Sequence, residues 1–246
     1  MNNGQFAFLI RHELKLESCR RFARSWYWIY IASVAVVLFV AVAIWGEAEG
    51  FKSEYLLLFS FGLPFVFCMI AFQKLKREWT GNTLGWWLAL PYPRSRLLLA
   101  KLAASFGLAV GISVLFFAGV AIVETFNLLV HGLGFGDFGR FVKLELHFLL
   151  ILVVVSPLMQ ALGLLIAAVS KSSLRPLTPL LWITFGLFGN VLNYLNGPAD
   201  IEYGEAWGLF GGSVTGWIWL AVPAVWVVAA LLFAGAVNVC KKYLVL

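Results

Sequence analysis

Charge is what this sequence most lacks. Of its 246 residues only 12% are Asp, Glu, Lys or Arg, about half the share in a soluble domain. Apolar residues make up 62% and the mean hydropathy is +0.91. Such a chain cannot cover a water-facing surface, so a soluble globular fold is excluded and an integral membrane protein is required. The formal charge of +6 does not point to nucleic acid, because cytoplasmic loops of membrane proteins collect Lys and Arg.

Cysteine is also scarce. Cys19 and Cys240 fall at the cytoplasmic side and Cys68 inside a span, so no structural disulfide is expected. Period-two alternation is missing from the apolar runs, which excludes a membrane barrel in favour of helices. Residues 1–25 are polar and basic and lead into a long span with no small-residue cleavage site, unlike a signal peptide. Enzyme signatures are absent as well. No phosphate-binding G-x-x-x-x-G-K-[ST] and no G-x-S-x-G occurs. The stretch HELKLE starts as a zinc-protease motif does, but Leu16 stands where the second His is needed. His131 and His147 are isolated. No catalytic residue and no metal site is expected.

What is present is a series of apolar runs. A bilayer core of about 30 Å needs roughly 20 residues of helix. Six segments qualify, at 26–45, 55–72, 97–123, 146–169, 177–195 and 216–239. The fold class is therefore an all-α membrane protein of six spans forming a single transmembrane domain over 1–246. With the N-terminus inside, the inner segments hold nearly every base. The outer ones keep only Lys52, Arg140 and Lys143, and just Glu13, Glu17 and Glu78 among the acids fall inside. This bias places both termini in the cytoplasm. Trp26 and Trp28 suit an inner aromatic belt; Trp45, Trp217 and Trp219 suit an outer one.

Residues 1–25 read as an amphipathic helix on the inner leaflet. Phe6, Leu9, Ile10, Leu14 and Leu16 gather on one side, with Arg11, His12 and Lys15 opposite. Glu13 and Glu17 fall on the apolar arc, which a surface helix does not predict. Glu17 has Arg20 and Arg21 three and four residues on. Glu13 has no such neighbour; either it meets a base from another segment or it snorkels to the headgroups.

The span interiors carry almost no charge, and Glu124 and Glu145 sit near outer ends. Asn190 and Asn193 share a face of the fifth span with Gly186 and Gly189; they are candidates for a path lining or for interhelical hydrogen bonds. Ala103, Gly107 and Gly111 form a small-residue stripe in the third span, suited to close helix contact within the chain or with a second subunit. Pro64, Pro157 and Pro223 lie inside spans. The outer loop at 196–215 is Gly-rich and aromatic, as in a segment that re-enters the outer leaflet.

The densest polar information lies at 73–101, QKLKREWTGNTLGWWLALPYPRSRLLLAK. Lys74, Lys76, Arg77, Arg94, Arg96 and Lys101 face one acid, Glu78. Leu75, Trp79, Trp86 and Trp87 are bulky apolar anchors among those charges, as a protein contact requires. The alternative is that they anchor to the inner leaflet while the bases meet anionic lipid. Pro91 and Pro93 stop the helix, and Arg94, Arg96 and Lys101 stand at the entry of the third span.

The order Glu78, Gly81, Thr83, Leu84, Leu88, Pro91, Arg94, Lys101 resembles the permease subunits of type-2 ATP-binding-cassette exporters, whose loop between spans two and three has this pattern. One departure is Asn82, which separates Gly81 from Thr83. The resemblance implies a cytoplasmic coupling loop over 73–96, with a short helix from Lys74 to Trp87 that docks on an ATPase subunit. It further implies two copies of that ATPase, holding ATP and Mg, no cofactor on this chain, and a second permease subunit, identical or not. The expected setting is a bacterial cell membrane. The expected cargo is amphipathic or hydrophobic: a peptide toxin, a bacteriocin, a drug or a lipid-like molecule. The contrasting reading is an ATPase-independent secondary transporter or intramembrane enzyme.

Overall fold

The computed structural model describes residues 6–14, 25–45, 54–83, 85, 89, 91–131, 135–195 and 218–243. Glu17, Trp86, Trp87 and the outer loop 196–215 lie outside the described residues. The described residues form helices and turns with no strand. In chain order these are α1 (6–14), α2 (Ser25–Trp45), the one-turn α3 (Glu54–Leu57), α4 (Leu63–Thr80), α5 (Arg94–His131), α6 (Phe135–Ser170), α7 (Thr178–Leu195) and α8 (Ile218–Lys242). A 3-10 segment, Leu58–Gly62, leads into α4, whose start is fixed by Pro64 in its first turn.

Four stretches are long and apolar enough to cross a bilayer: Phe59–Thr80, Arg94–His131, Phe141–Ser170 and Val222–Lys242. Within α2, Ala32–Ile44 is a shorter apolar run. Helices α2 and α7 stand where the first and fifth spans are expected. The second span differs from its expected limits, because α4 runs on through Thr80. Residues 73–80 therefore prolong this helix rather than opening a separate one. The third and fourth spans are also longer than hydropathy alone suggests. At 38 residues, α5 is about 57 Å long, well beyond the hydrocarbon thickness, so its charged first turns and its last turn project from the apolar layer.

Helix α6 is the centre of the bundle, with α4, α5 and α8 packed against it. One apolar cluster joins α2, α4, α5, α6 and α7 through Val42, Phe67, Phe117, Phe148, Met159 and Phe185. A second, at the base-rich end, joins α4, α5, α6 and α8 through Leu75, Leu98, Leu164, Ala167, Ala236 and Cys240. Rings lock α7 onto α4: Phe65 meets Phe185 at 4.8 Å and Phe72 meets Trp182 at 5.6 Å, both edge-on. Pro157 removes the donor that would bond the Val153 carbonyl in α6. The Ser156 hydroxyl donates to that oxygen instead, at 2.9 Å, so the buried polar group is not stranded.

Among the described glycines, the tightest approach to another helix is at Gly163. A Cβ there would run into the Cys68 carbonyl oxygen of α4, with the Cys68 carbon at 3.1 Å and the Phe72 nitrogen at 3.2 Å. These are backbone atoms and cannot step aside. Gly111, in contrast, has open space around it. Gly163→Ala is expected to lower stability by about 1–3 kcal/mol, read as a depressed unfolding temperature of the monomeric chain in detergent, while Gly111→Ala leaves that of the monomer unchanged.

Candidate functional site

The turn after α4 sets the site. Gly81 caps the helix, and Asn82 has φ 53°, the left-handed region. Asn is among the few residues with a side chain that tolerate it. This reversal lets the Asn82 N–H donate to the Trp79 carbonyl at 3.3 Å and the Thr83 N–H to the Glu78 carbonyl at 3.0 Å, the paired bonds of a Schellman ending. Asn82, the departure from the family pattern, is thus the residue that closes the helix. It also places the Thr83 hydroxyl over Glu78, where it donates to Oε2 at 2.6 Å.

Glu78 lies in the last turn of α4, where the helix carbonyls disfavour negative charge. The second and larger compensation comes from α5. Lys101 Nζ lies 2.6 Å from Glu78 Oε1 and 2.8 Å from Glu13 Oε1 of α1. Lys101 is 1% exposed, among Leu97, Leu98 and Ala104. Lys74, also buried, donates from Nζ to the Glu13 backbone carbonyl at 3.4 Å. One ammonium therefore ties together the N-terminal helix, the end of α4 and the start of α5.

Helix α1 is placed by this contact and by apolar packing. Leu9 lies against the base-rich cluster and Leu14 reaches toward Gly107. Glu13 takes the first of its two expected courses and meets a base from another segment. Its seat on the apolar arc follows, because that arc faces the bundle.

The remaining candidates divide. Lys76, Arg77 and Thr80 are exposed on α4, whereas Leu75 is fully buried and Trp79 half-buried against the base-rich cluster. Because α4 continues to Thr80, Leu75 falls on its core face, while Trp79 stands half-buried beside it. Pro91 is exposed just ahead of α5. Arg94 reaches away from the loop, its Nη1 donating to the carbonyls of Cys240 at 2.6 Å and Lys241 at 3.2 Å. A cation on the last carbonyls of α8 complements the helix dipole; the sequence offers no local sign of this pairing. Ala103 is half-exposed, and Gly107 and Gly111 are exposed. Asn190 and Asn193 lie in α7, with side chains outside the described residues. Toward the other end, Glu124 and Asn127 of α5 and Glu145 of α6 are buried, each with one side-chain oxygen lacking a hydrogen-bond partner. Among the described residues no group of three or more His, Cys, Asp or Glu gathers to hold a metal.

The ion cluster makes a stability prediction. In Glu13→Gln/Glu78→Gln, Lys101 loses both carboxylates and the fold loses about 3–5 kcal/mol. Adding Lys101→Met recovers part of that loss. Thermal unfolding of the three proteins in one detergent reads both effects, and a triple variant no more stable than the double contradicts the pairing.

In the cluster of Glu13, Glu78 and Lys101, acids and base neutralise one another and hold three helices together. The arrangement suits transmission of movement between segments. A family model described as ABC-2 family transporter protein matches residues 19–193, from just after α1 into α7. No curated protein matches the chain. The match takes in α4, the loop, Lys101 and the central helix α6, and by it this chain belongs to the ABC-2 transporter family, as a membrane-embedded permease of the kind that works with an ABC ATPase.

Proposed function

We propose that the chain is one half of an ATP-driven exporter, with six spans, both termini in the cytoplasm and the loop 73–96 docked on the ATPase. The observation that carries this reading is the cluster of Glu13, Glu78 and Lys101, with distances of 2.8 and 2.6 Å. Force applied to the loop reaches α5 through Glu78–Lys101, α1 through Glu13 and α8 through Arg94. No bond on this chain need be made or broken. ATP and Mg act on the two partner ATPases, whose closure shifts the permease between inward- and outward-facing states.

Six spans are few for a path, so two permease subunits are required. The exposed Gly107 and Gly111, with open space at Gly111, offer a face on which a second subunit packs closely. Within the loop, Lys76 and Arg77 are the exposed contacts, joined by Trp86 and Trp87 in the reading from sequence. The weakly polar, aromatic interior favours an amphipathic or hydrophobic cargo such as a peptide toxin, and α7 with Asn190 and Asn193 is the candidate lining. A bacterial cell membrane is the setting this reading implies.

Two experiments test it. The chain should co-purify with a soluble subunit bearing a phosphate-binding loop. Cargo-free and cargo-stimulated ATP hydrolysis of the reconstituted complex should separate the loop variants. Glu78→Lys, which sets a third base beside Lys74 and Lys101, abolishes stimulation, and Glu78→Gln reduces it about tenfold with insertion and assembly intact. Full ATP-coupled transport by both variants removes the coupling role, and cargo flux by the lone chain without ATP establishes the contrasting reading.

A further inference from the structure

Four exposed bases lie within two residues of one contact at the base-rich end. The turn after α6 and the end of α8 are joined by a hydrogen bond from the Ser173 N–H to the Tyr243 carbonyl, 3.1 Å. Lys171 and Arg175 each stand two residues from Ser173, and Lys241 and Lys242 immediately precede Tyr243. All four are exposed, and among the described residues no carboxylate pairs with any of them. The Arg94 guanidinium, held on the Cys240 and Lys241 carbonyls, adds positive charge to the same place. Like charges on segments joined in this way repel one another unless an anion joins them.

An apolar surface begins where these bases stop. On α7, Leu177, Leu180, Ile183 and Leu187 are 49%, 59%, 62% and 56% exposed. Their spacing of three, three and four puts them in one stripe that starts two residues past Arg175. On α8, exposed Val227 and Leu231 lie on the run that leads down to Lys241, and Tyr243 at its foot is 43% exposed. Basic groups at the head of exposed aliphatic stripes match a molecule with an anionic head and hydrocarbon tails.

We propose that Lys171, Arg175, Lys241 and Lys242 form a binding site for the phosphate headgroup of an anionic phospholipid, its acyl chains lying along α7 and α8. The bases stand where the membrane-facing aliphatic surface begins, the level at which lipid headgroups meet hydrocarbon, so a lipid phosphate fits them better than the acidic face of a soluble partner. The bound lipid bridges the α6–α7 turn to the end of α8, beside the carbonyls that hold Arg94. The site is independent of the direction of transport and of the ATPase contact.

The test is native mass spectrometry of the detergent-purified full chain, titrated with phosphatidylglycerol, cardiolipin or phosphatidylcholine. The two anionic lipids should stay bound in preference to phosphatidylcholine, with inorganic phosphate failing to displace them. Replacing all four bases by Gln should weaken anionic-lipid binding about a thousandfold, whereas the charge-keeping change of Lys171, Lys241 and Lys242 to Arg should preserve it. A control that removes two exposed bases elsewhere, Lys76→Gln/Arg77→Gln, should leave it unchanged, whereas Lys241→Gln/Lys242→Gln, which removes two within the site, should weaken it. Equal loss in that control reduces the effect to general surface charge and overturns the site. So does equal retention of phosphatidylcholine. Elution of each variant at the parent volume on size exclusion separates loss of the site from loss of the fold.

Discussion

A lysine ammonium inside a packed helical bundle must be met by negative charge, and here that requirement organises one end of the molecule. Lys101 is set among leucine and alanine, where an unpaired charge would cost several kcal/mol. It recruits one carboxylate from α4 and another from α1, segments far apart in sequence. Neither acid is at ease on its own, since Glu78 sits at the negative end of its helix and Glu13 on an apolar arc. The three become compatible only together, which makes the junction of α1, α4 and α5 specific rather than merely greasy.

Much of this is legible in the sequence, because membrane burial leaves few polar residues and each must be accounted for. The apolar runs mark the helices, and the stretch from Glu78 to Lys101 points to the family that the match over residues 19–193 shows. Glu13 stands out by its position without a local base. Its partner does not, since no pattern within one helix says which distant segment will face it. Hydropathy misplaces the limits of α4 and α5 for a related reason: it falls where charged residues enter, yet a helix continues wherever its backbone bonds do. Leu75 belongs to the core on that account. Gly163 gives no signal at all, since close approach depends on which helix lies opposite.

Asn82 shows how a departure from a family pattern can be read physically. An inserted residue at a helix end would ordinarily disturb the register of the downstream chain. Here it adopts the backbone conformation that a Schellman ending needs and delivers Thr83 to the carboxylate that Lys101 also holds. The sequence difference is absorbed within one turn, and the polar cluster keeps its geometry.

Helices α5 and α6 lie side by side but differ mechanically. A proline interrupts the ladder of α6, whereas α5 carries none along its 38 residues. From Lys101 to His131 is about 45 Å of unbroken helix, with the unsatisfied oxygens of Glu124 and Asn127 near the far end. Such a rod acts as a lever: tilting it by about 5° at the lysine swings the opposite end by about 4 Å. A small displacement at the lysine end would thereby be carried, magnified, to buried polar groups at the other.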